Sequence, residues 1–305
     1  MNYHVPVLLN ETVHMLRVRP DGRYIDGTAG GGGHAAAVAR LLNGDALLAV
    51  DRDADAVAAA SEALKDYPCA AVVKGDFHDI KAIAKAHGFD SADGVLLDLG
   101  VSSHQLDDAG RGFSYHMDAP LDMRMDQDAS LTAAAICNTW SEADIAAILR
   151  DYGEERWAAR IARVLCDRRP VYTTHDLVNI IDAAIPKKFR LKDDGHPARR
   201  TFQALRIAVN DELKPLNAAL CDSMDILKPG GRLCVITFHS LEDRIVKRAF
   251  QTFEHPCVCP RDAPICVCGG KKVARVVGKP LRASADELQA NPRARSATLR
   301  TAEKV

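Results

Sequence analysis

Several features that would place the chain in a special class of protein are absent from its 305 residues. No apolar run approaches the ~20 residues that a membrane-spanning helix requires. The first twelve residues lack a basic segment followed by a long apolar one, so they are not typical of a secretory signal. There is no internal repeat, and the net charge of −1 excludes a uniformly basic or acidic chain. These absences predict a cytoplasmic globular protein that does not contact membranes.

Cysteine is present, but not in the even distribution of a disulfide-linked scaffold. Five of the nine cysteines are scattered, and we interpret them as small core residues: Cys69, Cys137, Cys166, Cys221 and Cys234. The other four form two Cys-Val-Cys turns, Cys257/Cys259 and Cys266/Cys268. Four thiolates suit tetrahedral zinc. Two C-x-C pairs are less specific than two C-x-x-C pairs, so a disulfide-capable loop and free thiols stay open, and we assign no metal site.

The charged residues are distributed unevenly. Residues 187–206 contain seven Lys and Arg against two Asp, and residues 271–305 contain nine against three acidic residues. Residues 76–130 have the opposite bias, with eleven Asp against four Lys and Arg. Two distant basic segments can converge on a polyanion, although a solvated surface explains them equally well.

Apolar strands and helical segments alternate through the first hundred residues. This alternation is typical of right-handed βαβ units and a parallel sheet covered on both faces. The four predicted strands end at Asp26, Asp51, Lys74 and Asp98. The first hundred residues therefore predict a doubly wound, Rossmann-like α/β sheet.

The alternation stops after the fourth strand. Residues 99–128 have no clear periodicity, residues 130–185 are predicted to be helical, and strand character returns only at 231–238. The helices are predicted at Ser141–Arg150, Glu154–Asp167 and Thr174–Ala184, with N-caps at Ser141 and at Thr173 or Thr174. This pattern predicts a discontinuous cofactor domain, 1–107 and 213–305, and an inserted helical domain, 108–212.

The most informative stretch is Tyr24-Ile-Asp-Gly-Thr-Ala-Gly-Gly-Gly-Gly-His34, a short strand that turns through four glycines into an alanine-rich helix. Glycines allow positive φ and let a ligand approach the backbone, and a helix start offers N–H donors. Residues 30–35 satisfy the dinucleotide pattern G-x-G-x-x-A, and Asp51 follows at the distance expected of a ribose ligand. The loop predicts a nucleotide-like cofactor.

Carboxylates at the strand ends discriminate between cofactors. Asp26 and Asp98 are expected to border one crevice, where they would repel a pyrophosphate. S-adenosylmethionine fits better, because it has sulfonium and ammonium charges and no phosphate. Asp51 would accept the ribose hydroxyls and Phe77 would pack on the adenine. A helix cap at Asp51 and a core position for Phe77 are the structural alternatives.

Eight sequence segments, in order from the first ten residues to the last fifteen, point to one family. They are HVPVLLNET (4–12), DGTAGGGGH (26–34), DLGVSSHQLDDAGRGFS (98–114), LDMRMD (121–126), GEERWAARIA (153–162), RTFQALRIAVNDEL (200–213), FHSLEDRIVK (238–247) and NPRARSATLR (291–300). With these segments the chain closely resembles the ribosomal RNA small subunit methyltransferase H family, also called MraW.

The resemblance implies transfer of a methyl group from S-adenosylmethionine to N4 of a cytidine in 16S rRNA, near the decoding centre of the small ribosomal subunit. It implies that the inserted domain recognises this substrate. The cofactor contacts it implies are Gly32, Gly33, His34, Asp51, Phe77, Asp98 and Gln105.

Asp98 is the predicted catalytic residue. Cytosine N4 is a poor nucleophile because its lone pair is delocalised, and a carboxylate that accepts an N4–H hydrogen bond would localise that pair and take the proton. Many amino-methyltransferases have Asp/Asn-Pro-Pro-aromatic at this strand end, whereas here Asp98 is followed by Leu-Gly-Val. Phe113 or Tyr115 could supply the stacking face, or both could anchor the loop. His239 could touch the target base or be structural.

Two other functions compete with methyl transfer. The pattern G-x-G-x-x-A with Asp51 is compatible with an NAD-dependent dehydrogenase, which Asp26 and Asp98 disfavour. A non-catalytic RNA-binding assembly factor with a vestigial cofactor fold is the alternative outside enzymes. A homodimer is left open as a further partner.

Overall fold

The chain divides into two units in the computed structural model, which describes residues 6–44, 46–190, 196–257, 259 and 267–305. Unit 1 comprises residues 1–100 and 213–305, and unit 2 comprises residues 101–212. No helix in the described ranges combines the length and apolarity needed to span a bilayer. The assignment of these units to cofactor binding and substrate recognition stays a prediction.

Unit 1 contains a seven-stranded sheet in the order β3-β2-β1-β4-β5-β7-β6. Strands β1 to β5 pair in parallel, whereas β7 is antiparallel to both β5 and β6. Strands β2 and β4 are buried along nearly their whole length, as expected for continuous apolar strands covered on both faces. The strands are β1 Tyr24–Asp26, β2 Leu47–Asp51, β3 Ala70–Lys74, β4 Ala92–Asp98, β5 Leu227–Thr237, β6 Ala274–Val276 and β7 Thr298–Lys304.

Helices cover both faces of this sheet, so the predicted α/β fold class is confirmed. Two apolar clusters, which contain alternate residues of the same central strands, form the core. The helices of unit 1 are α1 Leu9–Leu16, α2 Gly33–Ala39, α3 Ala54–Leu64, α4 Ile80–Ala86, α12 Leu216–Ile226, α13 Ser240–Glu254 and α14 Ala285–Ala290.

Unit 2 is helical around one apolar core of its own. The predicted N-caps are confirmed: the Ser141 hydroxyl accepts from Asp144 N, and the Thr173 hydroxyl accepts from Asp176 N. Its helices are α5 Ser103–Asp107, α6 Ala133–Thr139, α7 Glu142–Asp151, α8 Ala158–Asp167, α9 Thr174–Ala184, α10 Lys187–Arg190 and α11 Arg199–Asn210.

The predicted helix Glu154–Asp167 starts four residues too early. Glu154 has a φ of 48°, so the chain turns here before α8 begins. A Cβ on Gly153 would lie 2.7 Å from the carbonyl oxygens of Leu149 and Arg200, which explains the glycine at this turn. Strands β6 and β7 were not predicted at all, and β5 begins four residues before the predicted strand.

Candidate active site

The sheet order reverses at β1, whose neighbours are β2 and β4. Ligands of open α/β sheets bind at such a switch point, outside the carboxyl ends of the strands. Asp26 pairs with Leu96, so Asp98 extends two residues beyond Asp26 at this edge. We call the ends of β1, β2 and β4, with their carboxylates Asp26, Asp51 and Asp98, the acidic edge.

The glycine loop is held by hydrogen bonds from its own backbone. Gly27 N donates to Leu96 O (2.9 Å), Ala29 N to Val50 O (2.9 Å) and Gly32 N to Ala29 O (2.8 Å). Two further N–H groups bond the acidic edge: Thr28 N to Asp26 Oδ1 (3.1 Å) and Gly30 N to Asp51 Oδ2 (2.8 Å). A phosphate cradle needs such N–H groups for its ligand. These five N–H groups are bonded within the protein and are not available to a phosphate.

Gly32 and Gly33 are required by packing. Gly32 has a φ of 81°, and a Cβ there would lie 3.1 Å from the Cα of Ala60 in α3. A Cβ on Gly33 would lie 2.2 Å from Pro6 Cγ. Atoms of the protein therefore occupy the space that a side chain at Gly32 or Gly33 would need. Only the backbone of these two residues can have the predicted role in cofactor binding.

Alanine at Gly32 is expected to destabilise the protein more than alanine at Gly30. Both residues have positive φ, 52° at Gly30, but the nearest atom to a Cβ on Gly30 is 4.0 Å away. Gly30→Ala isolates the conformational cost, about 1 kcal/mol, whereas Gly32→Ala adds a clash with α3, for a total of about 2–3 kcal/mol. Chemical denaturation of the two variants measures the difference. Equal losses of stability would show that the contact with α3 is unimportant.

Asp51 supports the loop and is not a helix cap. Its Oδ2 accepts from Gly30 N, and its Oδ1 accepts from Asp53 N at 2.9 Å. Asp53 is the N-cap of α3, so the capping alternative for Asp51 is wrong. Burial raises the pKa of Asp51, and these two N–H donors counteract that effect. Each carboxylate oxygen has a further lone pair, which suits the acceptance of ribose hydroxyls.

Asp26 and Asp98 are buried without full compensation of their charges. Asp26 is 3% exposed, and burial raises its pKa to about 7 against the hydrogen bond from Thr28. Burial also raises the pKa of Asp98 well above its usual range, and the negative charges of Asp26 and Glu242 raise it further. Asp26 Oδ2 and Asp98 Oδ1 have no hydrogen-bond partner among the described residues. A buried carboxylate in this state favours a cationic ligand.

His34 does not neutralise Asp98. Its Nε2 lies 3.1 Å from Val7 O, which can only accept, so Nε2 carries the hydrogen. Burial lowers the pKa of His34 to about 4, so the ring is neutral at pH 7 and Nδ1 has no proton. Nδ1 and Asp98 Oδ2 are 3.8 Å apart, which is too far for a hydrogen bond. The positive charge that Asp98 needs is not supplied by His34.

Thr28 and Glu242 belong to the site but were not predicted. The Thr28 hydroxyl accepts from Asp98 N at 2.6 Å and thereby connects the glycine loop to the end of β4. Glu242 is 2% exposed, and its Oε2 accepts from Phe238 N and His239 N. His239 is the N-cap of α13, and the capping-box spacing of His239 and Glu242 was the available signal. For His239 the structural alternative is thus supported.

Phe77 lies at the same edge of the sheet, directly after β3. It begins a 3-10 helix that Asp76 caps, and a Cβ on Gly27 would lie 3.2 Å from Phe77 Cβ. Burial raises the pKa of Asp76, but the hydrogen bond from His78 and the charge of Arg52 outweigh this effect and lower the pKa to about 2. The ring of Phe77 is partly buried against the apolar core, so both the adenine contact and the core role are compatible with its position.

The remaining predicted residues lie in unit 2. Gln105 is buried and forms a capping box with Ser102, in which Gln105 Oε1 accepts from Ser102 N at 3.0 Å. Phe113 is 6% exposed and belongs to the core of unit 2, which makes it a loop anchor. Tyr115 stacks on His196 with ring centroids 4.6 Å apart. The predicted contact of Gln105 with the cofactor stays a prediction.

The cysteines fall into two groups. Cys69, Cys137 and Cys234 are buried as predicted, whereas Cys166 is partly exposed and Cys221 is exposed, so the core assignment of Cys221 is wrong. The Sγ atoms of Cys257, Cys259 and Cys268 lie within 4.8 Å of one another. Cys266, the fourth cysteine of the sequence pattern, lies outside the described residues.

A parallel sheet with an antiparallel β7 between β5 and β6, and an acidic edge at the switch point, define a protein of the Rossmann-like methyltransferase fold. The chain belongs to the MraW methylase family, whose model matches residues 1–305. The chain is 54% identical to the ribosomal RNA small subunit methyltransferase H of Symbiobacterium thermophilum, over 99% of this chain and 97% of the relative. It is 52% identical to the protein of the same name from Heliobacterium modesticaldum, over 99% of both. This family membership overturns the dehydrogenase alternative.

Proposed function

We propose that this protein transfers a methyl group from S-adenosylmethionine to N4 of a cytidine in 16S rRNA, near the decoding centre. The names of the relatives support an rRNA substrate in the small ribosomal subunit. The acidic edge is the observation that carries the cofactor assignment. Its two unpartnered carboxylate oxygens suit a cation, and five N–H groups of its loop are bonded within the protein.

The residues proposed to hold S-adenosylmethionine fit its chemistry. Asp51 offers lone pairs to the ribose hydroxyls, Phe77 offers a ring at the same edge, and Asp98 offers a carboxyl group whose Oδ1 has no partner among the described residues. The remaining proposed contacts are Gly32, Gly33, His34 and Gln105. When bound, S-adenosylmethionine supplies an activated methyl group on a sulfonium centre.

Asp98 is proposed to act as the base. Its Oδ1 is enclosed without a partner among the described residues, while the side chain as a whole is 25% exposed, so the carboxylate faces both the interior and the site. Accepting an N4–H hydrogen bond would localise the lone pair of N4, and the proton would pass to Asp98 as the N–C bond forms and the S–C bond breaks. Thr28 positions the backbone of Asp98 for this role.

The experiment that tests the function is a methyl-transfer assay on small ribosomal subunits that lack the modification. The expected product is N4-methylcytidine in 16S rRNA, identified by mass spectrometry of nucleosides. Assays on naked 16S rRNA and on assembled subunits determine which of them is the substrate. Specific binding of rRNA without transfer would support the non-catalytic assembly factor instead.

The basic segments are proposed to contact rRNA phosphates, but they do not contribute equally. In the tail, Arg300 forms a bidentate ion pair with Asp243 (2.7 and 2.8 Å), and Arg275 pairs with Glu303 at 2.6 Å. These two cations are therefore engaged within the fold. In unit 2, Lys187 and Lys188 of α10 are exposed, whereas Lys192 lies outside the described residues. The homodimer that the sequence left open has no support from the names of the relatives.

The double variant Lys187→Ala/Lys188→Ala is expected to weaken rRNA binding and reduce its salt dependence. Each lost phosphate contact lowers the slope of log K against log salt by roughly 0.7–0.9, so the slope should fall by about 1.5. Binding titrations at several salt concentrations measure it. Arg163→Ala/Arg168→Ala is the matched control, because it removes two exposed charges at α8. Equal slopes in the two variants would contradict the phosphate contacts.

A further inference from the structure

Three cysteine thiols converge in the loop between α13 and β6. The Sγ atoms of Cys257, Cys259 and Cys268 all lie within 4.8 Å of one another. Thiolates on a tetrahedral zinc ion with Zn–S bonds of ~2.3 Å are roughly 3.8 Å apart. The three sulfurs thus need only small movements to bind one ion.

The fold holds the two ends of this loop together. Val273 N donates to Phe253 O at 2.8 Å, and this bond joins the residue before β6 to the end of α13. Nearer the cysteines, a Cβ on Gly270 would lie 2.9 Å from Pro256 O. Cys257 and Cys268 therefore each lie within two residues of a place where the two ends of the loop are in contact. The convergence of the thiols follows from this anchoring.

These cysteines do not behave as core residues. Cys257 is exposed, Cys259 and Cys268 are partly exposed, and Val267 between the thiols is 86% exposed. By contrast, Cys137 is fully enclosed in the core of unit 2. Packing does not explain the thiols, whereas a bound ion would.

The backbone around the thiols is typical of metal-binding turns. Val267 N donates to Cys259 Sγ at 3.4 Å, the type of hydrogen bond that stabilises a metal-bound thiolate. Gly269 has a φ of 64°, so the chain turns directly after Cys268. Soft thiolate ligands select zinc over magnesium or calcium.

We propose that Cys257, Cys259 and Cys268 bind one zinc ion, which cross-links the chain after α13 to the chain before β6. Each thiol releases its proton as its sulfur binds the ion, and no oxidation or reduction is involved. Ligands that are all sulfur are typical of structural zinc sites, and the three thiolates fill three of the four tetrahedral positions. Cys266 is not part of the proposal.

Metal analysis of the full chain, purified under reducing conditions, tests the site directly. About one zinc per chain is expected, and cobalt(II) added to the chelator-treated protein should give thiolate-to-cobalt charge-transfer bands and strong visible absorption. Cys257→Ser, Cys259→Ser and Cys268→Ser should each lower zinc affinity about 10-fold or more. Cys221→Ser is the matched control, since Cys221 is also exposed but lies on α12, and it should retain the metal.

Three results would overturn the proposal. The first is reduced protein without zinc that gives no cobalt spectrum, and the second is full metal retention in the three serine variants. The third is a disulfide among these cysteines that forms in place of metal binding, detected by thiol counting and intact mass. None of these readouts requires methyl transfer, so failure here is distinct from failure of the proposed function.

Discussion

Asp98→Ala is expected to lower the rate of methyl transfer by about 100- to 10,000-fold, the range of a general base. The variant removes the uncompensated carboxylate at the end of β4 while leaving the bond from Asp98 N to Thr28 in place. Single-turnover assays at saturating cofactor separate this loss from weaker binding, which calorimetric titration with S-adenosylmethionine measures independently. A variant that binds cofactor normally and keeps near wild-type turnover would show that Asp98 is not the base.

A matched control lies at the other end of the same strand. Asp90 is exposed and lies two residues before the start of β4, so Asp90→Asn removes a carboxylate without touching the acidic edge. It should leave turnover and cofactor affinity unchanged. The conservative Asp98→Asn keeps the shape of the side chain but removes both charge and basicity. If Asp98→Asn restores most of the activity lost in the alanine variant, hydrogen bonding and not proton transfer is the role of this residue.

Asp26→Asn is expected to stabilise the cofactor-free protein above pH 7 and to weaken cofactor binding. The raised folded pKa of Asp26, about 7, means that its favourable contribution is fully present below pH ~4 and lost as the pH rises through 7. The cost in the wild type at pH 8 is at most about 4 kcal/mol. Asparagine stays neutral, and its amide oxygen can still accept from Thr28 N. Urea denaturation between pH 5 and 8 should show a falling stability in the wild type and a flatter profile in the variant.

Asp93→Asn provides a control with the opposite sign. Although burial opposes it, the hydrogen bond from Arg23 N and the charges of Lys228 and Arg19 lower the pKa of Asp93. A lowered pKa contributes stability above the unfolded pKa, which is lost as the pH falls through the folded value. Asp93→Asn should thus destabilise the protein at pH 8, whereas Asp26→Asn stabilises it. A loss of stability in both variants would mean that the ionised Asp26 carboxylate is stabilised in the folded protein, contrary to the prediction.

Strand ends were the most predictable part of the fold. Strands β1 to β4 end at Asp26, Asp51, Lys74 and Asp98 as expected, because each apolar run is short, continuous and followed by a polar residue. The parallel sheet then places three carboxylates at one edge without further information. Their charge is the basis of the proposed S-adenosylmethionine site. Sequence therefore predicts much of the site wherever function requires charged residues at the ends of buried strands.

Buried polar residues explain most of what was missed. In β7 the side chains of Thr301 and Glu303 are buried, so the strand lacks the apolar pattern by which strands are recognised. Glu303 can be buried because it forms ion pairs with Arg232 of β5 and Arg275 of β6. These partners are 71 and 28 residues away in the sequence. Glu242 is different, because its capping-box spacing with His239 was a local signal, whereas the partners of Glu303 are distant in sequence. Long-range ion pairs of this kind leave no local signal.

The order in which the chain is synthesised determines when each unit can fold. Strands β4 and β5 are neighbours in the sheet, yet a ribosome makes all of unit 2 after β4 and before β5. Unit 2 is continuous and helical, so all its contacts can form once it has been synthesised. The edge of β4 that pairs with β5 stays unpaired until β5 has been synthesised. We therefore expect unit 2 to fold first on the nascent chain. The charge of Glu242, which raises the pKa of Asp98, reaches the acidic edge only after α13 has been synthesised. We therefore expect the acidic edge to be completed late in synthesis.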